Sequence, residues 1–308
     1  MRHRLAAVVA AGAALLAACS SSAPSLAPPP PPTPTTTETA DAATPSTSAD
    51  VDEVETAAGT VVPAPEPLPQ PEPGEWILFE PSVVGSYPHD DDAFTQGLLL
   101  DGERLFESTG RYGASELREV DLESGAVERS IDLDDRFFGE GLALVGDRLI
   151  VLTWQEETAL VHDRDTFELL GAFEYSTEGW GLCHDGDQLI MSDGSNELVT
   201  RDPATFEATG SVRVTLDDQP IRRLNELECV GGDVWANVWL TDTIVRIDPA
   251  TGNVTGVVDA SALEPDRPED TDAVLNGIAY DETTGRFLLT GKLWNTVYEV
   301  DLVEVPRS

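Results

Sequence analysis

Basic residues are scarce in this chain. Eighteen Lys and Arg stand against 57 Asp and Glu, a formal net charge of −39. So little positive charge cannot neutralise phosphates, which excludes nucleic acid as a partner; it says little about fold. Lys292 is the only lysine, so that position stands out. Of the four histidines, His89, His162 and His184 have no metal-ligand spacing, and there is no HExxH. GxSxG and P-loop signatures are also absent. Apolar stretches are short, and none is long enough for a membrane-spanning helix. Cysteine occurs three times.

The N-terminal apolar stretch, in MRHRLAAVVAAGAALLAACSSS, follows a basic start and ends in small residues, as an export signal does. Leu16-Ala17-Ala18-Cys19 resembles a bacterial lipobox. It implies a lipoprotein signal over 1–18, lipidation of Cys19, and a lipid anchor on the outer face of the bacterial cytoplasmic membrane. The alternative is an ordinary secretory peptide with an incidental Cys. From 19 to 75 the chain is rich in Pro, Thr, Ser, Ala and acid. Such a segment buries too little apolar surface to offset its ordering entropy, so it is expected to be a disordered tether. The folded domain is expected over 76–305, long enough for one sizeable core.

Within that domain the chain repeats itself. QGLLLDGERLFESTG begins at Gln96, EGLALVGDRLIVLTW at Glu140, WGLCHDGDQLIMSDG at Trp180, NELECVGGDVWANVW at Asn225 and NGIAYDETTGRFLLTGK at Asn276, with spacings of 44, 40, 45 and 51 residues. Each unit is two apolar runs joined by a turn, followed by a third run ending in Asp (LREVD, ALVHD, LVTRD, IVRID, VYEVD). The first four add a fourth run. Four short strands at this period predict propeller blades. The expected fold is all-β, a five-bladed β-propeller without a long helix. The fourth strand of the fifth unit is expected from the N-terminal side, Glu80–Pro88, which closes the ring and removes an edge.

In such a ring the first strands line the central channel. The residues heading them (Gln96, Glu140, Trp180, Asn225, Asn276) fall at equivalent positions, as do those ending the second strands (Gly110, Trp154, Gly194, Trp239, Lys292). A mouth lined by apolar walls and a few polar groups suits a ligand pocket. Each residue also has a structural alternative. Glu140 can satisfy a turn, the tryptophans can pack blades, and Asn225 and Asn276 can serve as turn residues. Lys292 can be a solvated charge. Asp90, Asp91 and Asp92 can bind calcium, but read better as an exposed acidic loop. Cys183 and Cys229 fall one register position apart in neighbouring first strands, so a disulfide is expected in an exported protein.

FTQGL, ESTGRYGASELREVD, FGEGL, LTW, EGWGL, SDGS, LNELE, VWANVW, IVRIDPATG, VLNGIAYD and LTGKLW occur in order from about Tyr87 to Asp301. This series resembles the plant and bacterial type of glutaminyl-peptide cyclotransferase. The resemblance implies a five-bladed propeller that converts N-terminal glutamine of peptides or proteins to pyroglutamate with release of ammonia. It carries pocket roles to Phe94, Gln96, Glu140, Trp154, Trp180, Asn225, Trp239 and Lys292. Glu140, Lys292 and Asn225 are expected to be catalytic; Phe94, Gln96, Trp154, Trp180, Trp239 and Asn276 are expected to bind substrate. Asn295 follows TGKLW where Pro would be expected.

Ring closure within one molecule leaves proton management to the protein. Glu140 is expected to take the amine proton and return it to the leaving nitrogen. Its pKa would be raised by desolvation or lowered by Lys292, and the sequence leaves that balance open. Lys292, Asn225 and Gln96 are expected as donors to the γ-carbonyl and the peptide. No metal cofactor is required, although a structural calcium in the channel is compatible with this reading, and the protein is expected to be a monomer. Two rivals remain. One is a calcium-dependent propeller lactonase or esterase ligated by Glu140, Asn225 and Asn276. The other is a non-catalytic peptide-binding lipoprotein.

Overall fold

The computed structural model describes residues 65, 67–72, 74–263 and 269–307. The signal over 1–18, Cys19 and most of the expected tether lie outside them. Every regular element among the described residues is a β-strand.

Strand β1 (Ile77–Pro88) precedes four antiparallel meanders. The first is β2 (Thr95–Asp101), β3 (Arg104–Thr109), β4 (Glu116–Val120) and β5 (Val127–Asp132). The second is β6 (Gly139–Val145), β7 (Arg148–Thr153), β8 (Thr158–Asp163) and β9 (Leu169–Glu174). The third is β10 (Leu182–His184), β11 (Leu189–Ser192), β12 (Glu197–Arg201) and β13 (Ala208–Arg213). A small hairpin, β14 (Thr215–Leu216) and β15 (Gln219–Pro220), follows. The fourth meander is β16 (Leu224–Val230), β17 (Asp233–Val238), β18 (Thr243–Ile247) and β19 (Val254–Asp259). Last come β20 (Leu275–Asp281), β21 (Arg286–Gly291) and β22 (Thr296–Val305). The first strands pack in a cycle, β2 on β6, β6 on β10, β10 on β16, β16 on β20 and β20 on β2. The result is a nearly closed, propeller-like arrangement of small sheets.

Burial explains the strand patterns. The inner strands β2, β6 and β20 touch protein on both faces and are buried over most of their length, so they read as unbroken apolar runs. The outer strands β5 and β13 are largely exposed and polar. The Asp ending the third strand of each of the first four units makes a turn. Asp121, Asp163, Asp202 and Asp248 each accept backbone N–H bonds from two or three residues ahead. Short polar side chains of this kind close such turns locally. Asp301, in the fifth unit, lies inside β22 instead, because the chain supplies no fourth strand there.

The N-terminal strand supplies it. β1 pairs antiparallel with β22 from Leu78↔Val305 to Pro88↔Thr296, starting three residues before the expected Glu80. Its first residues also pair parallel with β19, Ile77↔Gly256 to Phe79↔Val258. The last two units are thereby joined into one eight-stranded sheet. The packed chain also begins before Trp76, where the tether was expected to end. Leu68 packs against the core, and Pro69 O accepts a 2.7 Å bond from the buried Arg246. A Pro-rich composition suggested solvent, but one leucine and one carbonyl suffice to lay the strap on the fold.

Two further features tie the inner strands together. Cys183 and Cys229 are bonded, with Cα atoms 5.5 Å apart, linking β10 to β16. The bridge spans a sequence separation of 46. Replacing both cysteines by Ser should therefore cost about 2–4 kcal/mol, chiefly by freeing the unfolded chain. Equal denaturation midpoints for variant and wild type would refute this. Glu226, buried in β16, accepts the Ile278 N–H of β20 at 2.9 Å.

Burial, reinforced by neighbouring Glu228, pushes the Glu226 carboxyl well above its ordinary 4.5. Folding thus takes up a proton at this site. The stabilisation is complete below 4.5 and is lost as pH rises through the raised value. Glu226→Gln can still accept the Ile278 bond, and should flatten the fall in stability from pH 5 to 9. Parallel wild-type and variant curves would contradict this.

Candidate active site

The residues heading the first strands do not simply continue them. The ladders slip between Thr95 and Gly97, Gly139 and Leu142, Leu224 and Leu227, and Leu275 and Ile278. Gln96, Glu140, Asn225 and Asn276 each fall inside one of these bulges. A bulge leaves a residue unpaired and re-aims its side chain. That is how polar groups occur at the ends of otherwise buried strands.

The glycines beside them permit close approach. A Cβ on Gly141 would sit 2.6 Å from Leu182 N, and one on Gly181 would sit 1.9 Å from Asn225 O. Second-strand side chains then fix the next unit's backbone. Ser108 Oγ donates to Glu140 O at 2.5 Å, and Ser192 Oγ donates to Asn225 O at 2.7 Å.

At this end of the ring lies a cavity of about 380 Å³. Glu140, Gln96, Asn225 and Lys292 supply its buried polar surface. Phe94, Phe138, Trp154, Trp180 and Trp239 wall it, and Arg111 and Asp272 complete the lining. The aromatic rings support one another edge to face. Phe138 meets Phe94 at 6.0 Å and Trp154 at 5.6 Å, and Trp180 meets Trp239 at 5.4 Å. Glu178 bridges the two groups. Its Oε2 accepts Trp154 Nε1 at 2.9 Å and Trp180 Nε1 at 3.0 Å. Burial works to raise the Glu178 pKa, but these bonds and one from Gln155 hold it below its ordinary value. A larger cleft, about 700 Å³, lies between 70–76 and the Asp217–Asp218 and Asp248 turns, and none of the residues heading the repeats lines it.

Glu140 is 5% exposed. Gln96 Nε2 donates to its Oε1 at 3.0 Å, and the carboxyl has no other hydrogen-bond partner among the described residues. Desolvation raises its pKa well above 4.5 and outweighs the opposing pull of Lys292. The balance left open by sequence thus falls to burial. Desolvation also lowers Lys292 to about 8, against the attraction of Glu140. Its Nζ lies over the Phe94 ring, 4.8 Å from the centroid.

The structure brings together Phe94, Gln96, Glu140, Trp154, Trp180, Asn225, Trp239 and Lys292. It places Asn276 elsewhere. Asn276 is fully buried behind Gln96, donating Nδ2 to Thr95 O at 3.0 Å and to Gln96 Oε1 at 3.3 Å. It supports the lining rather than forming it.

One N–H of the Gln96 amide is bonded to Glu140, and the second remains to donate. Asn225 Oδ1 is buried without a hydrogen-bond partner among the described residues. Among Asp90, Asp91 and Asp92, whose carboxylates lie within 4.8 Å of one another, Asp90 is engaged by Arg118 at 2.7 Å.

Phe138 stands beside Glu140, as its sequence neighbourhood implies. Glu178, Arg111 and Asp272 are not foreseen from sequence; the first two stand inside the EGWGL and ESTGRYG motifs, whereas Asp272 lies in an irregular segment without a signal.

Comparison with known proteins places the chain among relatives of one family. The glutamine cyclotransferase family model matches residues 57–302. The chain is 42% identical over 228 residues to the glutaminyl-peptide cyclotransferase of Arabidopsis thaliana, covering 72% of this chain and 71% of that protein. It superposes on the crystal structure of Myxococcus xanthus glutaminyl cyclase with a TM-score of 0.72 and 40% identity, covering 75% of this chain and all of the other. With its repeats, its ring of inner strands and its Trp-walled cavity around a buried Glu, the chain belongs to the glutamine cyclotransferase family.

Proposed function

We propose that the protein is a glutaminyl-peptide cyclotransferase, converting N-terminal glutamine to pyroglutamate, with Glu140 as its proton carrier. The observation that carries this reading is a single buried carboxyl, raised in pKa, with one protein hydrogen bond, on the wall of an aromatic cavity. The α-nitrogen attacks Cδ of the glutamine side chain, the new C–N bond closes a five-membered ring, and the bond to the amide nitrogen breaks. One proton passes from the attacking to the departing nitrogen, which leaves as ammonia. A carboxyl group whose pKa burial raises well above the ordinary range can both take the proton and return it.

Gln96 fixes the carboxyl by its bond to Oε1. Lys292 stabilises charge developing on the γ-oxygen. Asn225 holds the substrate through its side-chain amide. The tryptophans and Phe94 enclose the side chain, and a cationic amine meets their ring faces.

In this proposal the four meanders, and the fifth sheet completed by β1, are the blades of a five-bladed propeller. The protein works as an exported monomer, held at the outer face of the cytoplasmic membrane by lipid on Cys19. Chemistry requires no metal ion, and a structural calcium is compatible with it.

Ammonia release from Gln–Ala amide, with and without EDTA, tests the reading. Turnover that survives chelation is expected. No ammonia release, with turnover of a lactone or ester instead, would overturn it; so would activity lost in EDTA and restored by calcium.

A further inference from the structure

Arg111 is a cation on the cavity wall that the chemistry above does not use. Among the described residues, Arg104, Arg118, Arg129, Arg164, Arg246 and Arg286 pair with carboxylates. The Arg111 guanidinium has no acceptor among the described residues. It lies over Phe94, 4.9 Å from the ring centroid, and Lys292 Nζ lies 4.8 Å from the same centroid.

Its backbone sits at φ 129°, a region disfavoured for any residue with a Cβ. The loop is held in that shape. Ser115 Oγ donates to Arg111 O at 2.8 Å and accepts Gly139 N–H at 2.9 Å, next to Glu140. Strain of this kind persists where the surroundings over-determine it, and it collects at ligand sites. The neighbouring rim acids are otherwise placed. Glu156 is bonded to Tyr112 Oη at 2.8 Å, and Asp272 acts on Lys292.

We infer that Arg111 is a specificity residue receiving a carboxylate carried by the peptide one residue beyond its N-terminal glutamine. This rests on the cyclotransferase reading. The glutamine occupies the buried end of the cavity at Glu140, Asn225 and Lys292, so the next residue leaves past the exposed rim. There a planar guanidinium offers paired donors to a carboxylate. That group is either an acidic second side chain or the C-terminal carboxylate of a dipeptide.

Initial rates with Gln–Glu amide, Gln–Gln amide, Gln–Ala amide and free Gln–Ala separate these sources. Wild type should favour Gln–Glu amide over Gln–Gln amide, or free Gln–Ala over its amide, by roughly 3- to 10-fold in kcat/KM, through KM and fading with salt. In Arg111→Gln that ratio should collapse toward one. Arg111→Gly, which adopts positive φ without strain, should do the same. Equal wild-type rates on all four peptides, or a preference that survives both substitutions, would overturn the inference. Failure to turn over any of the four would instead strike the cyclotransferase reading.

Discussion

Glu140→Gln should lower turnover of Gln-initiated peptides by about 10²–10⁴-fold, the usual worth of a general acid–base group, while the thermal midpoint barely moves. The small stability effect follows from the same burial that raises the pKa. A buried carboxyl whose burial favours the neutral form is replaced by a neutral amide of the same shape, and Gln96 Nε2 still finds an oxygen acceptor. If Glu140 only satisfied local structure, its loss would cost stability and leave the folded protein active. KM is expected to change little, because the aromatic walls that hold the side chain remain. Activity and melting measured on one preparation distinguish the two outcomes.

A chain shortened to begin after Pro88 should fail to fold as a soluble protein, whereas one beginning at Pro65 should fold and keep its turnover. β1 supplies the pairing partner of β22 from Leu78 to Pro88 and also contacts β19. Without it, β22 presents a long unpaired edge, a template for aggregation. Loss of Phe79, fully buried against Trp235, would leave a hole in the cluster it shares with Val258, Phe287 and Val300. Phe79→Ala alone should cost about 3–5 kcal/mol. A soluble, active chain lacking β1 would refute the closing role of that strand.

Much of this was legible because the repeat is written in chemistry. The x-Gly-Leu heads, the turn between the first two strands and the Asp at the end of the third each follow from a local demand. Gly181 is needed because Asn225 O leaves no room for a Cβ, and Asp202 because it closes its own turn. What could not be read was which partner each side chain meets across the ring. Gln96 and Asn276 occupy the same repeat position, yet Gln96 lines the cavity and Asn276 lies behind it, bonded to Thr95 O. Equivalent slips hold both residues, so the difference lies in the partner each side chain meets, Glu140 for Gln96 and Thr95 O for Asn276.

Glu178 was missed because its role lies in reaching two indoles from different units, a contact that no short motif states. Arg111 was quoted within ESTGRYG without a role, since only the fold places its loop beside Phe94. The strap over 67–72 was read as part of the tether from its prolines. Its fixed position depends on one leucine and on the buried Arg246 seeking an acceptor.

The central claim is that burial holds the Glu140 carboxyl protonated well beyond the ordinary carboxylate range. The most direct test is an infrared titration of the protonated-carboxyl band, taken as the difference between wild type and Glu140→Gln. A band that persists well above pH 4.5 is the predicted result. Loss of the band at or below pH 4.5 would contradict the account.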